Sequence, residues 1–273
     1  MELRGTVGIL TGASRGIGVY IAQELARKGV DLALAARSAE DLEATAKLVN
    51  DLGARSITVP TDVTQRSDLE VLVARANDEL GPADLLVNNA GIEHYAYFEE
   101  ADLDVIERVL RTNVIAAEWL TRLVLPEMVR RRKGHIANIA SVAGKTAAPY
   151  NTVYSSSKHA LVGFSWSLRE EMKRHGVGVS AVCPGYVADA GMFYDWSQGE
   201  KPPGLTRTVT PEKVATRTVE AIEKDIPEVI VAPGVLKIVD VLHAISPRLT
   251  TAIARRSGGY AFLERGVKEW RGR

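Results

Sequence analysis

Short uninterrupted apolar runs alternate with segments of helical spacing along most of the chain. Thr6-Val7-Gly8-Ile9-Leu10 is continuous rather than alternating, the pattern of a parallel strand covered on both faces. Residues 16–28 follow with Ile17, Ile21 and Leu25 on one helical face and stop at Gly29. Further strands are predicted at Leu32–Ala36, Ser56–Val59, Leu85–Asn88, Ile136–Ala140, Val177–Cys183 and Val229–Val231. Helical patterns lie between them, near 39–52, 66–80, 101–131, 151–174 and 211–224. Seven strands alternating with six helices require right-handed crossovers and one parallel sheet. The expectation is an α/β chain with a single doubly wound domain over residues 1–232, its seven-stranded parallel sheet flanked by helices.

Two regions break this rhythm. Residues 189–210, DAGMFYDWSQGEKPPGLTRTVT, are rich in aromatics, Gly and Pro, the composition of a mobile loop able to cover a ligand. Within it Met192, Phe193, Tyr194 and Trp196 either line an apolar pocket or pin the loop to the core. Residues 233–273 form a helical extension with Val235, Ile238, Val239, Leu242 and Ile245 on one face, ended by Pro247. That face is too short for a bilayer and is interrupted by Lys237 and Asp240, so something must cover it: the sheet's own helices first, then a partner chain, then an anionic lipid surface.

Composition changes the picture little. The 273 residues carry 34 Lys+Arg against 34 Asp+Glu, which gives no global electrostatic case for nucleic-acid binding. The charge is nevertheless uneven, for seven basic and two acidic residues follow Ser246. One cysteine, Cys183, excludes an intramolecular disulfide, and its apolar strand suggests a buried, inert thiol. The five histidines show no zinc spacing, so no metal site is expected. Neither a signal peptide nor an apolar run of about 18 residues is present, which points to a soluble cytoplasmic protein.

Candidate chemistry begins at Thr11-Gly12-Ala13-Ser14-Arg15-Gly16-Ile17-Gly18, between the first strand and the first helix. Glycines there let the backbone turn tightly and approach a diphosphate, which the helix N-terminus stabilises. Four further motifs follow in order. Asn88-Asn89-Ala90-Gly91 follows the fourth strand, and Ser141 ends the fifth. Tyr154 comes thirteen residues later with Lys158 four beyond it, and Pro184-Gly185 closes the sixth strand. With Asn113 in the long predicted helix, this chain resembles the classical short-chain dehydrogenases/reductases over about residues 5–231.

The resemblance implies a Rossmann-type fold and hydride transfer between a nicotinamide cofactor and a carbonyl or alcohol. It makes Asn113, Ser141, Tyr154 and Lys158 the catalytic set, with Asn113 supporting a proton-relay water. It assigns cofactor contacts to Gly12, Ser14, Arg15, Gly16, Ile17, Gly18, Asn89, Ala90, Gly91, Pro184, Gly185 and Val187, besides Tyr154 and Lys158. Asn88 and Ala90 would line the adenine-side ribose. Asp62-Val63 matches the family's adenine contact, or else Asp62 is an ordinary helix cap. Family members commonly form dimers or tetramers through helices matching 101–131 and 151–174.

The chemistry of the Tyr-Lys pair stands on its own. Four residues apart on a helix, both side chains share one face. A phenol near its reference pKa of about 10 is a poor acid–base partner at neutral pH. A neighbouring ammonium and a positive nicotinamide would lower that value, letting Tyr154 exchange a proton with a carbinol or carbonyl oxygen. Ser141 would hydrogen-bond the same oxygen.

The second strand ends Ala35-Ala36-Arg37-Ser38, with alanine where NAD-preferring relatives carry an acid. Arg37, Ser38 and Arg15 therefore favour NADP(H) over NAD(H), since an arginine pairs with a 2′-phosphate. After Pro184-Gly185 this chain has Asp189 where the family often has threonine, and the threonine's role is not carried over. The leading expectation is an NADP(H)-dependent oxidoreductase acting on an apolar carbonyl or alcohol. Its rivals are an NADP(H)-binding regulatory or scaffolding protein without turnover, and a membrane-surface adaptor acting through the basic tail.

Overall fold

The computed structural model of the chain describes residues 1–203 and 207–270, the side chains of 235–237 and 270 apart. Seven strands form one sheet: β1 (Val7–Thr11), β2 (Asp31–Ala36), β3 (Ser56–Pro60), β4 (Leu85–Asn88), β5 (Gly134–Ile139), β6 (Val177–Pro184) and β7 (Glu228–Val231). All neighbours run parallel, in the order β3-β2-β1-β4-β5-β6-β7. The order reverses between β1 and β4, so a crevice opens at the carboxyl ends of those strands.

Between the strands run α1 (Ile17–Arg27), α2 (Ala39–Asp51), α3 (Arg66–Glu79), α4 (Leu103–Leu110), α5 (Ala116–Arg131), α6 (Thr152–Met172), α7 (Met192–Ser197) and α8 (Pro211–Glu223). The continuous apolar strands are explained by helices on both sides. Leu10, Leu34 and Val87 pack against Ile21, Leu25, Leu42 and Val214 on one face. Ile9, Ala33 and Leu86 pack against Leu69, Leu72, Leu120 and Met128 on the other. Ile9 and Leu10 are adjacent and both fully buried, because successive strand residues point to opposite layers.

The fold departs from the sequence reading in three places. The helix expected over 101–131 is broken by a π-helical stretch, Arg111–Ile115, between α4 and α5. The expected mobile loop 189–210 instead carries α7, and Val187 bridges Val209 across its base. Trp196, 2% exposed, pins that segment within a cluster of Tyr95, Tyr186, Phe193 and Phe262, while Tyr194 stays 41% exposed.

The extension is three helices, α9 (Gly234–Ile245), α10 (Pro247–Arg256) and α11 (Gly259–Trp270). Through Phe262, Leu263 and Val267, α11 closes over the aromatic cluster. The apolar face of α9 is not covered by the sheet's own helices as expected, since Ile238 is 62% and Ile245 77% exposed. The reason is directional: α9 meets α10 rather than lying across the sheet. Val235 lies outside the described side chains. Among the described residues no helix is long and apolar enough to cross a membrane.

Candidate active site

At the end of β1 the chain turns through Gly12 (φ 65°) and Gly16 (φ 59°), both in the left-handed region where a side chain is strained. A Cβ on Gly18 would sit 2.1 Å from the Gly12 carbonyl oxygen, so α1 can approach the turn only without one. Gly16 caps α1, no side chain bonds its first amides, and no acid stands in its first turn. Those free N–H groups and the helix dipole make an anion cradle. Half-buried Ser14 and Ile17 belong to the same turn.

The second motif braces this cradle. The Asn89 side-chain amide donates to the carbonyls of Thr11 and Gly12, each at 3.0 Å. Thr11 Oγ1 accepts from the main-chain N–H of Asn89 and of Ala90, again at 3.0 Å. Asn89 Oδ1 is buried without a partner among the described residues, as an acceptor facing a ligand would be. Asn88, by contrast, turns inward to donate to Asn138 and Thr121, so its side chain does not line a ribose site as expected. Strand alternation decides this: Asn88 is the buried member of the pair.

The outer candidates are spread along the crevice. Arg37 is exposed at the end of β2, and Ser38 accepts from Asp41 N–H at 3.3 Å as the cap of α2. Arg15 is exposed and pairs with Asp195 of α7 at 3.7 Å. Asp62 is not a helix cap, because its Oδ1 holds Thr64 N–H and Oγ1 at 2.9 and 2.8 Å in a tight turn. Val63 is buried in the core beside it. Pro184 ends β6, Gly185 N–H bonds Val231 O, and Val187 is buried at the base of the α7 segment. Asp189 is exposed, with φ 62°.

Across the crevice, α6 presents Tyr154 and Lys158 one turn apart, 8% and 2% exposed. Lys158 Nζ donates to Ile139 O at 2.8 Å and lies 5.5 Å from the centre of the Tyr154 ring. Ser141, two residues beyond β5, accepts from Ala143 N–H at 3.1 Å, donates to Pro184 O at 3.5 Å and lies beside the Tyr154 phenol. Gly91 brings the cofactor side within reach: a Cβ there would be 3.6 Å from Lys158 Nζ. Asn113 sits in the π-helical stretch, and its side chain is fully engaged. Oδ1 accepts from Ile92 N–H and Nδ2 donates to Ile92 O, both at 2.8 Å, while Nδ2 also donates to Ser157 Oγ at 2.9 Å.

Burial governs the titration of this cluster. It pushes the Tyr154 phenol well above its ordinary value, assisted by the Glu93 carboxylate and opposed by the Ser141 hydrogen bond. The lowering expected from Lys158 is therefore absent in the protein alone, because desolvation of a phenolate outweighs it. The same burial lowers the Lys158 ammonium to about 8. Cys183 is buried and its thiol is pushed up to about 12, which fits an inert side chain.

The sequence reading passed over Glu93 and Asn151. Glu93 follows Gly91 by two residues in a loop with no periodic pattern to flag it. Burial raises its carboxyl to about 8. A group held at about 8 when folded and 4.5 when free binds the extra proton in the folded state, so stability falls as pH climbs between those values. Glu93→Gln is expected to flatten that descent. The check is the thermal midpoint of both proteins, without cofactor, from about pH 5 to 8.

The comparisons with known proteins agree with this geometry. The pattern of the short chain dehydrogenase family matches residues 6–201. The ketoacyl reductase HetN of Nostoc sp. is 40% identical over 268 residues, spanning 96% of this chain and 93% of its own. Estradiol 17-beta-dehydrogenase 11 of Rattus norvegicus is 31% identical over 258 residues, spanning 93% of this chain and 84% of its own. Actinorhodin polyketide ketoreductase, solved with NADPH, superposes with a TM-score of 0.76 at 31% identity, covering 84% of this chain and 96% of that one. With a glycine turn under α1 and a Ser-Tyr-Lys set facing it, the chain belongs to the short-chain dehydrogenase/reductase family and is an oxidoreductase acting on a CH–OH/C=O group.

Proposed function

We propose that this enzyme reduces carbonyl compounds with an apolar body at the expense of NADPH, Tyr154 giving the proton. The observation that carries the reading is the convergence of Ser141, Tyr154 and Lys158 on a crevice floored by the glycine cradle. The residues present fit a dinucleotide: an uncapped helix N-terminus, a turn that tolerates no Cβ, and the orphaned Asn89 Oδ1. When bound, a reduced nicotinamide supplies the hydride.

The chain's own residues do the rest. Ser141 Oγ holds the substrate oxygen, and the phenol next to it donates a proton as negative charge grows there. A buried phenol stays protonated at neutral pH, which suits donation and hence the reductive direction. Lys158, tied to Ile139 O, keeps its charge under the ring and holds the cofactor ribose. Because the Asn113 side chain is spent on Ile92 and Ser157, its main-chain carbonyl in the π-helical stretch is the group to hold a relay water.

The preference for NADPH rests on Arg37, which is exposed beside the adenosine end and makes no ion pair among the described residues. The ionised 2′-phosphate of NADPH would give it one. Arg37→Asp is expected to shift the ratio of NADP to NAD dissociation constants by about a hundredfold, the loss of one charge-assisted bond plus a repulsion. An unchanged ratio would remove Arg37 from the site. Leu103 and Trp166, 79% and 47% exposed on α4 and α6, support assembly of the enzyme as a homodimer or homotetramer through those helices.

A further inference from the structure

The loop after Gly91 is held with unusual firmness for a segment without regular structure. Asn113 clamps both main-chain groups of Ile92, and Ala96 N–H donates to Tyr150 O at 2.9 Å. Between these ties, the side chain of Glu93 meets the start of α6, where Asn151 Nδ2 donates to its Oε2 at 3.4 Å. The carboxyl lies close enough to Tyr154, Lys158 and Tyr186 to bear on the titration of all three.

Two buried acceptors stand there unused. Glu93 Oε1 and Asn151 Oδ1 are sealed from solvent and have no hydrogen-bond partner among the described residues, and Asn151 as a whole is only 3% exposed. A buried acceptor left unpaired is costly, so it calls for a partner. Two such acceptors, on hydrogen-bonded side chains and one of them three residues before the catalytic tyrosine, mark a place for a ligand's polar group. The indole Nε1 of Trp196, also buried without a partner, faces inward from α7 in the aromatic cap.

We propose that Glu93 and Asn151 form a hydrogen-bonding subsite for a hydroxyl group carried by the carbonyl substrate. The inference deepens the function proposed above and rests on it. An ammonium is the obvious alternative donor, but it would lie beside Lys158, a like charge in a buried site. A protonated carboxyl both donates and accepts, which is what a hydroxyl needs. The half-buried rings of Tyr186 and Phe193 would meet the apolar body, so the preferred substrate is an amphipathic hydroxycarbonyl compound rather than a hydrocarbon ketone.

The test uses cyclohexanone and decalone, their ring-hydroxylated counterparts, and the same rings bearing an ammonium. Each is assayed with NADPH on wild type, Glu93→Gln and Glu93→Leu. Wild type is expected to favour the hydroxylated member by about 10–100-fold in kcat/KM. Glu93→Gln, still a donor and acceptor, should keep most of that preference, and Glu93→Leu should bring the ratio of hydroxylated to plain ketone near unity, whatever its effect on the absolute rates. A ratio near unity in wild type, or one untouched by Glu93→Leu, overturns the subsite and leaves the reductase reading intact. Preference for the ammonium, lost in Glu93→Gln, overturns it in favour of a cation site. Failure of every ketone to be turned over, or to raise the thermal midpoint of the NADPH-loaded protein, sinks the function and the subsite together.

Discussion

Replacing Tyr154 by phenylalanine is expected to lower kcat by about 10²–10⁴-fold, the usual contribution of a positioned acid. NADPH affinity should stay nearly as in wild type. The phenol oxygen is the one atom removed, and it lies beside Ser141 rather than in the glycine turn. The ring itself stays buried and still lies against Lys158, so the fold has no reason to change. Comparing kcat with the NADPH dissociation constant separates the chemistry from binding. A variant with wild-type kcat would mean that protons reach the substrate by another route.

The second large effect belongs to the cradle. Gly18→Ala is expected to weaken NADPH binding about tenfold or more and to destabilise the protein by about 1–3 kcal/mol. The new methyl would meet the Gly12 carbonyl oxygen at 2.1 Å and the Asn89 amide at 2.9 Å. Relief requires α1 to withdraw from the turn, which moves the free amides away from a diphosphate. Gly163→Ala is the matched control: exposed on α6, it has nothing within 4 Å of the added Cβ. That substitution should stabilise slightly, by about 0.5–1 kcal/mol. Calorimetric binding and thermal midpoints of the two variants decide the matter, and equal behaviour would mean that the turn is not a close-packed cradle.

What could be read from the sequence follows from what leaves a periodic trace. A parallel strand buried on both faces is a continuous apolar run, so β1 to β7 were visible, with ends shifted by a residue or two. Tyr154 and Lys158 were visible because helical spacing forces residues four apart onto one face. The π-helical stretch at Arg111–Ile115 was not, since one extra residue per turn leaves the apolar spacing on either side unchanged. Helix α7 hid in a segment whose Gly and Pro content reads as loop.

The tertiary partners were further from view. Arg15 and Asp195 are far apart in sequence and meet only because α7 folds back over the glycine turn. Glu93 carries no pattern at all, and only burial beside Asn151 and Tyr154 distinguishes it from a surface acid. The extension misled for a related reason: a hydrophobic face predicts a covering surface but not which one, and α9 turned to α10 instead of the sheet.

The central claim is that this chain moves a hydride onto a carbonyl carbon while Tyr154 protonates the oxygen. The most direct measurement supplies NADPH deuterated at the transferable position and follows the label by mass spectrometry in the alcohol formed from the ketone panel. The account expects the label at the carbinol carbon with wild type, and a yield reduced by about 10²–10⁴-fold per unit time with Tyr154→Phe at equal NADPH saturation. NADPH binding without transfer of label to any ketone, or equal transfer by both proteins, would contradict it.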